Sequence, residues 1–147
     1  MKLKNIKIFN YRCFKDAEID FDDHITLVVG KNGAGKTAIL DAVAVSVSTF
    51  LLGIDVGVSR SILKDDARYE FHDLNGTIDP QHQFPVSIES TGDCLNQQNV
   101  KWIRSLNSES GKTTIKDAGK LTGLAKKAQN QIMTGDKYLI LPLISYY

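Results

Sequence analysis

The stretch Gly30-Lys31-Asn32-Gly33-Ala34-Gly35-Lys36-Thr37 constrains this chain more than any other. It fits the pattern G-x-x-x-x-G-K-[ST] at every fixed position, and that pattern needs a strand before it and a helix after it. Glycines let the backbone curl until successive N–H groups face a phosphate. A helix opening near Lys36 adds its free amides and the positive end of its dipole. In such a loop the lysine reaches the β- and γ-phosphates, and the Thr hydroxyl ligates the Mg²⁺ that bridges them. ATP with Mg²⁺ is therefore the expected ligand. Asn32, Gly33, Ala34, Gly35, Lys36, Thr37 and Ala38 form the expected binding set, with Lys36 as the catalytic cation and Thr37 as the metal ligand.

Both flanks agree with the pattern. Ile25-Thr26-Leu27-Val28-Val29 is a continuous apolar run, as in a strand buried on both faces. Beyond the loop, Ile39, Leu40, Val43, Val47 and Leu51 recur at helical spacing from Lys36 to about Leu52, and Gly53 supplies a stop. Ser110-Gly111-Lys112-Thr113 repeats the end of the motif, but Leu106 stands where its first glycine belongs, so it reads as a polar loop.

The remaining chain divides less sharply. Leu3–Phe9 and Ala17–Phe21 read as strands. Val56–Asp73 has no clean period, and Gly76–Pro85 reads as a loop. Phe84–Ser90 and Val100–Leu106 read as two strands of a small β insertion, joined by a connection longer than a tight turn. Thr114–Thr134 reads as a helix weakened by Gly119 and Gly123. Tyr138-Leu139-Ile140-Leu141-Pro142-Leu143-Ile144 reads as a returning buried strand, with Pro142 awkward in its middle. An apolar run so close to Tyr147 suggests the front portion of a longer protein. The expected organisation is a P-loop core at 1–55, a variable lobe at 56–135 and the returning core strand at 136–147.

Hydrolysis needs more than a phosphate cradle: an acid to place the metal and a group to place the water. Neither Leu51-Leu52-Gly53-Ile54-Asp55, too close behind the helix, nor Asp65-Asp66, with no apolar run before it, supplies a strand ending in such an acid. The chain alone is thus expected to turn over slowly or not at all. A net charge of +1, from 18 basic and 17 acidic side chains, carries no global nucleic-acid signal. Cys13 and Cys94 have no metal or disulfide spacing, and His24, His72 and His82 stand singly. Met1–Asn5 leads into alternation and not an apolar leader, and Ala38–Leu52 reads as too short and too polar to span a bilayer. The expected compartment is the cytoplasm.

Residues 1 to about 52 resemble the N-terminus of RecF/SMC-like ABC-type ATPase heads, and within them bacterial AAA-family proteins of the predicted ATP-binding and phage-defence type, related to OLD-family ATPases. The resemblance lies in Ile6-Lys7-Ile8-Phe9-Asn10-Tyr11-Arg12-Cys13-Phe14, the acidic second strand, and Gly30–Thr37 followed by Ile39-Leu40-Asp41-Ala42. It implies an α/β P-loop NTPase fold, incomplete here, with a mixed sheet and flanking helices. It implies that Arg12 contacts nucleotide phosphates, and that two heads sandwich ATP as a homodimer. The family's signature motif and acidic strand are not visible in this chain. Two other readings stand beside this one. The chain could be a DNA-binding or interaction module that uses nucleotide as a switch, through Lys112, Lys116, Lys120, Lys126 and Lys127, with Trp102 and Tyr138 to stack on bases. Or it could be a small P-loop kinase, although Arg60, Arg68 and Arg104 are too scattered to suggest a lid.

Overall fold

The computed structural model describes residues 1–55, 57–74 and 76–145. Val56, the first residue of the expected variable lobe, Asn75, and Tyr146 and Tyr147, the last of the expected returning strand, lie outside the described residues.

Alternation builds the first hairpin. Strand β1 (Lys2–Tyr11) turns Ile6 and Ile8 inward and Lys7 and Phe9 outward. Strand β2 (Phe14–Asp20) pairs with it antiparallel, Ile6 opposite Ile19, Ile8 opposite Ala17 and Tyr11 opposite Phe14, so that only Arg12 and Cys13 form the turn. Helix α1 (Lys36–Ser48) runs on into a 3₁₀ segment, Thr49–Gly53. Strands β3 (Tyr69–Leu74) and β4 (Thr77–His82) form a separate hairpin. Strands β5 (Val86–Cys94) and β6 (Gln97–Leu106) follow, then helix α2 (Gly119–Met133).

The main sheet runs in the order β2-β1-β5-β6 and every pairing in it is antiparallel. This corrects the expected mixed sheet. It also corrects the small insertion: β5 lies beside β1 in the middle of the sheet, with Ile88 opposite Ile8. The β5–β6 turn is tight, Leu95-Asn96, because Gly92-Asp93 belong to the strand and absorb an irregularity in register. The expected loop at 76–85 is largely β4, in which Pro80 sits opposite Phe71; a two-stranded ribbon has only edges, so a residue without an N–H is tolerated there.

Two apolar clusters hold the layers together. Ile6, Ile8, Val86, Ile88 and Leu106 of the sheet meet Ala38, Ala42 and Val45 of α1. Val100 and Trp102 meet Phe50 and, from α2, Leu121 and Ala125. Most polar groups inside this layer are paired; the buried Tyr11 hydroxyl has no hydrogen-bond partner among the described residues. Trp102 Nε1 donates to the Ser46 carbonyl at 3.0 Å, and the Ser46 and Ser90 hydroxyls pair at 2.7 Å. Arg104, almost wholly buried, donates to the Thr114 carbonyl and to the Thr49 and Ser59 hydroxyls at 2.9–3.1 Å; burial lowers its pKa. Trp102 is therefore a core residue, not a base-stacking platform, as sheet packing of so large a ring favours.

Two expected buried strands are not in the sheet. Ile25–Val29 and Tyr138–Ile144 pair with no described strand, and Ile25, Leu27, Val29, Tyr138, Ile140 and Leu143 are each at least three-quarters exposed. The P-loop run is thus not flanked by Leu3–Phe9 or Leu139–Ile144. Apolar runs of this kind are buried only when neighbouring strands and helices cover both faces; here β1, β5 and β6 satisfy one another and leave these runs uncovered. Ala38–Leu52, expected to be too short and too polar to span a bilayer, lies within the helical span Lys36–Gly53, which by length and composition alone is long and apolar enough to do so. Close to half of it is buried in this fold, packed on the sheet as a core helix.

Candidate nucleotide site

Residues 30–35 wrap over the N-terminus of α1, and Gly35 makes the junction. Its φ of +89° lies in the left-handed region, and a Cβ built there would stand 2.6 Å from Phe14 Cζ and 2.7 Å from Cys13 Sγ. The glycine is thus required twice, by backbone conformation and by the close approach of the β1–β2 turn. No acidic residue occupies the first turn of α1, so nothing there opposes an anion at the positive helix end.

Between the loop and the β1–β2 turn lies an open cleft of about 390 Å³. Arg12, Asn32, Gly33, Gly35, Lys36, Thr37 and Ala38 all line it, and Cys13 joins them. Of the sequence-predicted site residues only Ala34 does not reach the cleft; it faces back toward Gly30. Lys36 Nζ donates to the Gly30 and Lys31 carbonyls, each at 2.8 Å, which holds the ammonium across the loop.

Arg12 sits in the two-residue turn with φ +51°. Its backbone N–H donates to the Asp66 carbonyl at 2.6 Å, and its Nε donates to Asp66 Oδ1 at 2.9 Å. Nη1 lies 2.5 Å from Asp41 Oδ2, while Arg60 Nη2 lies 2.8 Å from Asp41 Oδ1. Burial pulls the Arg12 pKa down, and the hydrogen bond to Asp66, with the neighbouring acidic groups, more than reverses it. Tyr11, fully buried beside this cluster, has its pKa raised by burial first and by the Asp66 charge second.

Sequence reasoning weighed Asp66 only as a metal-placing acid and quoted Asp41 only within the resemblance, and gave neither a role beside Arg12. Asp41 carried a signal: it falls among Ala38, Ala42 and Val45 on the buried face of α1, where a carboxylate demands a partner. Asp66 carried none, because its partner lies 54 residues away. The other acidic candidate, Asp55, is engaged elsewhere, clasping Gln129 of α2 through both its backbone N–H and its carboxylate. The Ser110–Thr113 imitation is structural: Thr113 Oγ1 bonds both the N–H and the carbonyl of Ile62. Among the described residues no cluster of His, Cys, Asp or Glu could hold a metal.

The family model described as "AAA domain" matches residues 5–147. The chain belongs to the AAA domain family. This AAA domain is similar to the DNA replication and repair protein RecF of Flavobacterium johnsoniae, at 51% identity over 29% of the chain and 12% of the relative. It is similar to the DNA double-strand break repair Rad50 ATPase of Archaeoglobus fulgidus, at 48% over 30% of the chain and 5% of the relative. A longer match, 34% identity over 60% of the chain and 23% of the relative, is to RecF of Chlorobium phaeobacteroides. The chain thus spans 5–23% of the length of these relatives. Among solved structures, one from work on ATP-driven dimerization and DNA-stimulated activation of SMC ATPases superposes with a TM-score of 0.54 over 97% of this chain and 87% of the other. At 18% identity that likeness establishes the fold.

Proposed function

We propose that this AAA domain binds ATP with Mg²⁺ in the cleft at the N-terminus of α1, as the nucleotide-binding front of a RecF/Rad50/SMC-like ATPase head. One observation carries the reading: Gly35, Lys36, Thr37 and Arg12 line one cleft at the start of α1, and no Asp or Glu among the described residues lines it with them. Such a cleft suits a triphosphate, because cations and helix amides face it together. A single hydroxyl also suits Mg²⁺, which keeps several waters and takes few protein ligands beside phosphate oxygens. The metal would supply charge neutralisation at the phosphates. Lys36 would hold the β- and γ-oxygens, and the loop glycines would let backbone amides approach them.

In this reading hydrolysis belongs to an intact head, completed across a homodimer, in a cytoplasmic DNA-related or phage-defence process. The relatives named for DNA repair and SMC ATPases support that direction. Lys112, Lys116, Lys120, Lys126 and Lys127 are all exposed, which keeps DNA as a candidate partner. The test is equilibrium binding of ATP with and without Mg²⁺, on wild type and Thr37→Ala. The substitution should remove most of the Mg²⁺ dependence and leave metal-free binding nearly intact. A metal dependence equal to wild type would remove Thr37 from the site.

A further inference from the structure

Two acidic groups lie behind the cleft, both on Arg12. The Asp66 backbone carbonyl accepts from the Arg12 N–H, its Oδ1 accepts from Arg12 Nε, and its Oδ2 accepts from the Leu63 N–H at 3.0 Å. Asp41 takes Nη1, and its second oxygen is occupied by Arg60. The two carboxylates are almost wholly enclosed, at 5% and 7% side-chain exposure, while Arg12 is 31% exposed. Nη2 of Arg12 makes no hydrogen bond among the described residues, and the side chain lines the cleft with Lys36. An arginine clamped at two nitrogens by buried partners has already lost the rotamer freedom that a solvated turn arginine would give up on meeting a ligand.

Resting on the reading of the cleft as a phosphate site, we propose that Asp66 and Asp41 are positioning residues for Arg12, presenting Nη2 to a nucleotide phosphate. Neither carboxylate touches the ligand. The Asp66 carboxylate sets the guanidinium plane of Arg12, whose backbone the Asp66 carbonyl holds, and Asp41, held by Arg60, fixes the guanidinium's far end. The segment around Lys64–Asp66 thereby becomes part of the nucleotide site, although it has no phosphate-binding motif. The sign of the effect separates positioning from plain electrostatics. A carboxylate acting only through its charge repels a triphosphate, so neutralising it would tighten binding. A positioning carboxylate has the opposite effect when removed.

Calorimetry of ATP with Mg²⁺ on the full chain tests this with Asp66→Asn, Arg12→Ala, the double variant and Lys36→Ala. Asp66→Asn should bind about tenfold more weakly, the scale of re-ordering one long side chain. In the Arg12→Ala background the same substitution should add no further loss, because it acts through Arg12. Affinity at or above wild type in Asp66→Asn, or an equal loss with Arg12 absent, overturns the inference while Lys36→Ala still abolishes binding. Should Lys36→Ala bind like wild type, the phosphate-site reading fails and this inference with it. If Asp66→Asn loses cooperative thermal unfolding, Asp41→Asn carries the same cycle with the same expected signs.

Discussion

Replacing Gly35 by alanine should damage this protein more than the same change at Gly33, and the structure gives the size of the difference. Both residues have left-handed backbone, φ +89° and φ +84°. Placing an L-residue there costs about 1–2 kcal/mol in each case. At Gly33 nothing lies within 4 Å of an added Cβ, so the backbone term is all. At Gly35 the Cβ would meet Phe14 Cζ at 2.6 Å and Cys13 Sγ at 2.7 Å, so the β1–β2 turn must move. Overpacking of that kind costs about 1–3 kcal/mol more. Gly35→Ala should therefore lose about 2–5 kcal/mol against about 1–2 for Gly33→Ala. Urea denaturation of both variants measures this, with Phe14→Ala as the second arm. Removing the ring should recover part of the Gly35→Ala loss and none of the Gly33→Ala loss. Equal losses at the two glycines, or no recovery with Phe14→Ala, would refute the steric half of the reasoning.

Trp102→Phe removes the indole N–H that donates to the Ser46 carbonyl and leaves a gap between the sheet and the helices. It should destabilise by about 1–3 kcal/mol, read from the shift in denaturation midpoint. Asp93 is held below its ordinary pKa of 3.8, by the hydrogen bond from Lys4 first and the Asn99 N–H second. A depressed carboxylate contributes above the unfolded pKa and loses that contribution as pH falls through the lower folded value. Asp93→Asn should thus be less stable than wild type at neutral pH, with the gap closing in acid below 3.8. A gap that stays constant across that window would assign it to packing.

Legibility followed how local each constraint is. The loop at 30–37 stood out because each of its positions answers to a separate chemical demand within eight residues, and its lysine, threonine and glycines share one cleft; that phosphate fills this cleft is the proposal. β1 and β2 could be read because their apolar residues, such as Ile6 and Ile8, repeat at the period of a strand. The existence of α1 could be read from Ile39, Leu40, Val43 and Val47, but not its inner face: those residues are half-buried or exposed, and the smaller Ala38, Ala42 and Val45 meet the sheet. Partnership is non-local, and there the reading failed. Ile25–Val29 shows what needs covering and not what covers it, and nothing near Ile88 says that its neighbour is Ile8. Pro80 looked like loop chemistry because a ribbon made only of edges tolerates it, whereas Gly76 does lie in the turn between β3 and β4, with φ +84°. Asp66 was invisible as a partner of Arg12 because that partnership too is non-local: its meaning lies in Arg12, on the far side of the phosphate loop in sequence.

The central claim is that Lys36 and the loop around it bind the phosphates of ATP. Isothermal titration of ATP with Mg²⁺ into the 147-residue chain and its Lys36→Ala variant tests it most directly. Removing the cation that spans the loop should weaken binding by about 3 kcal/mol or more, beyond a hundredfold, given the strength of charge-assisted contacts to phosphate. The account predicts saturable binding by the wild type and loss of it in the variant, with both proteins showing the same thermal unfolding. Equal affinity in the two folded proteins would contradict it.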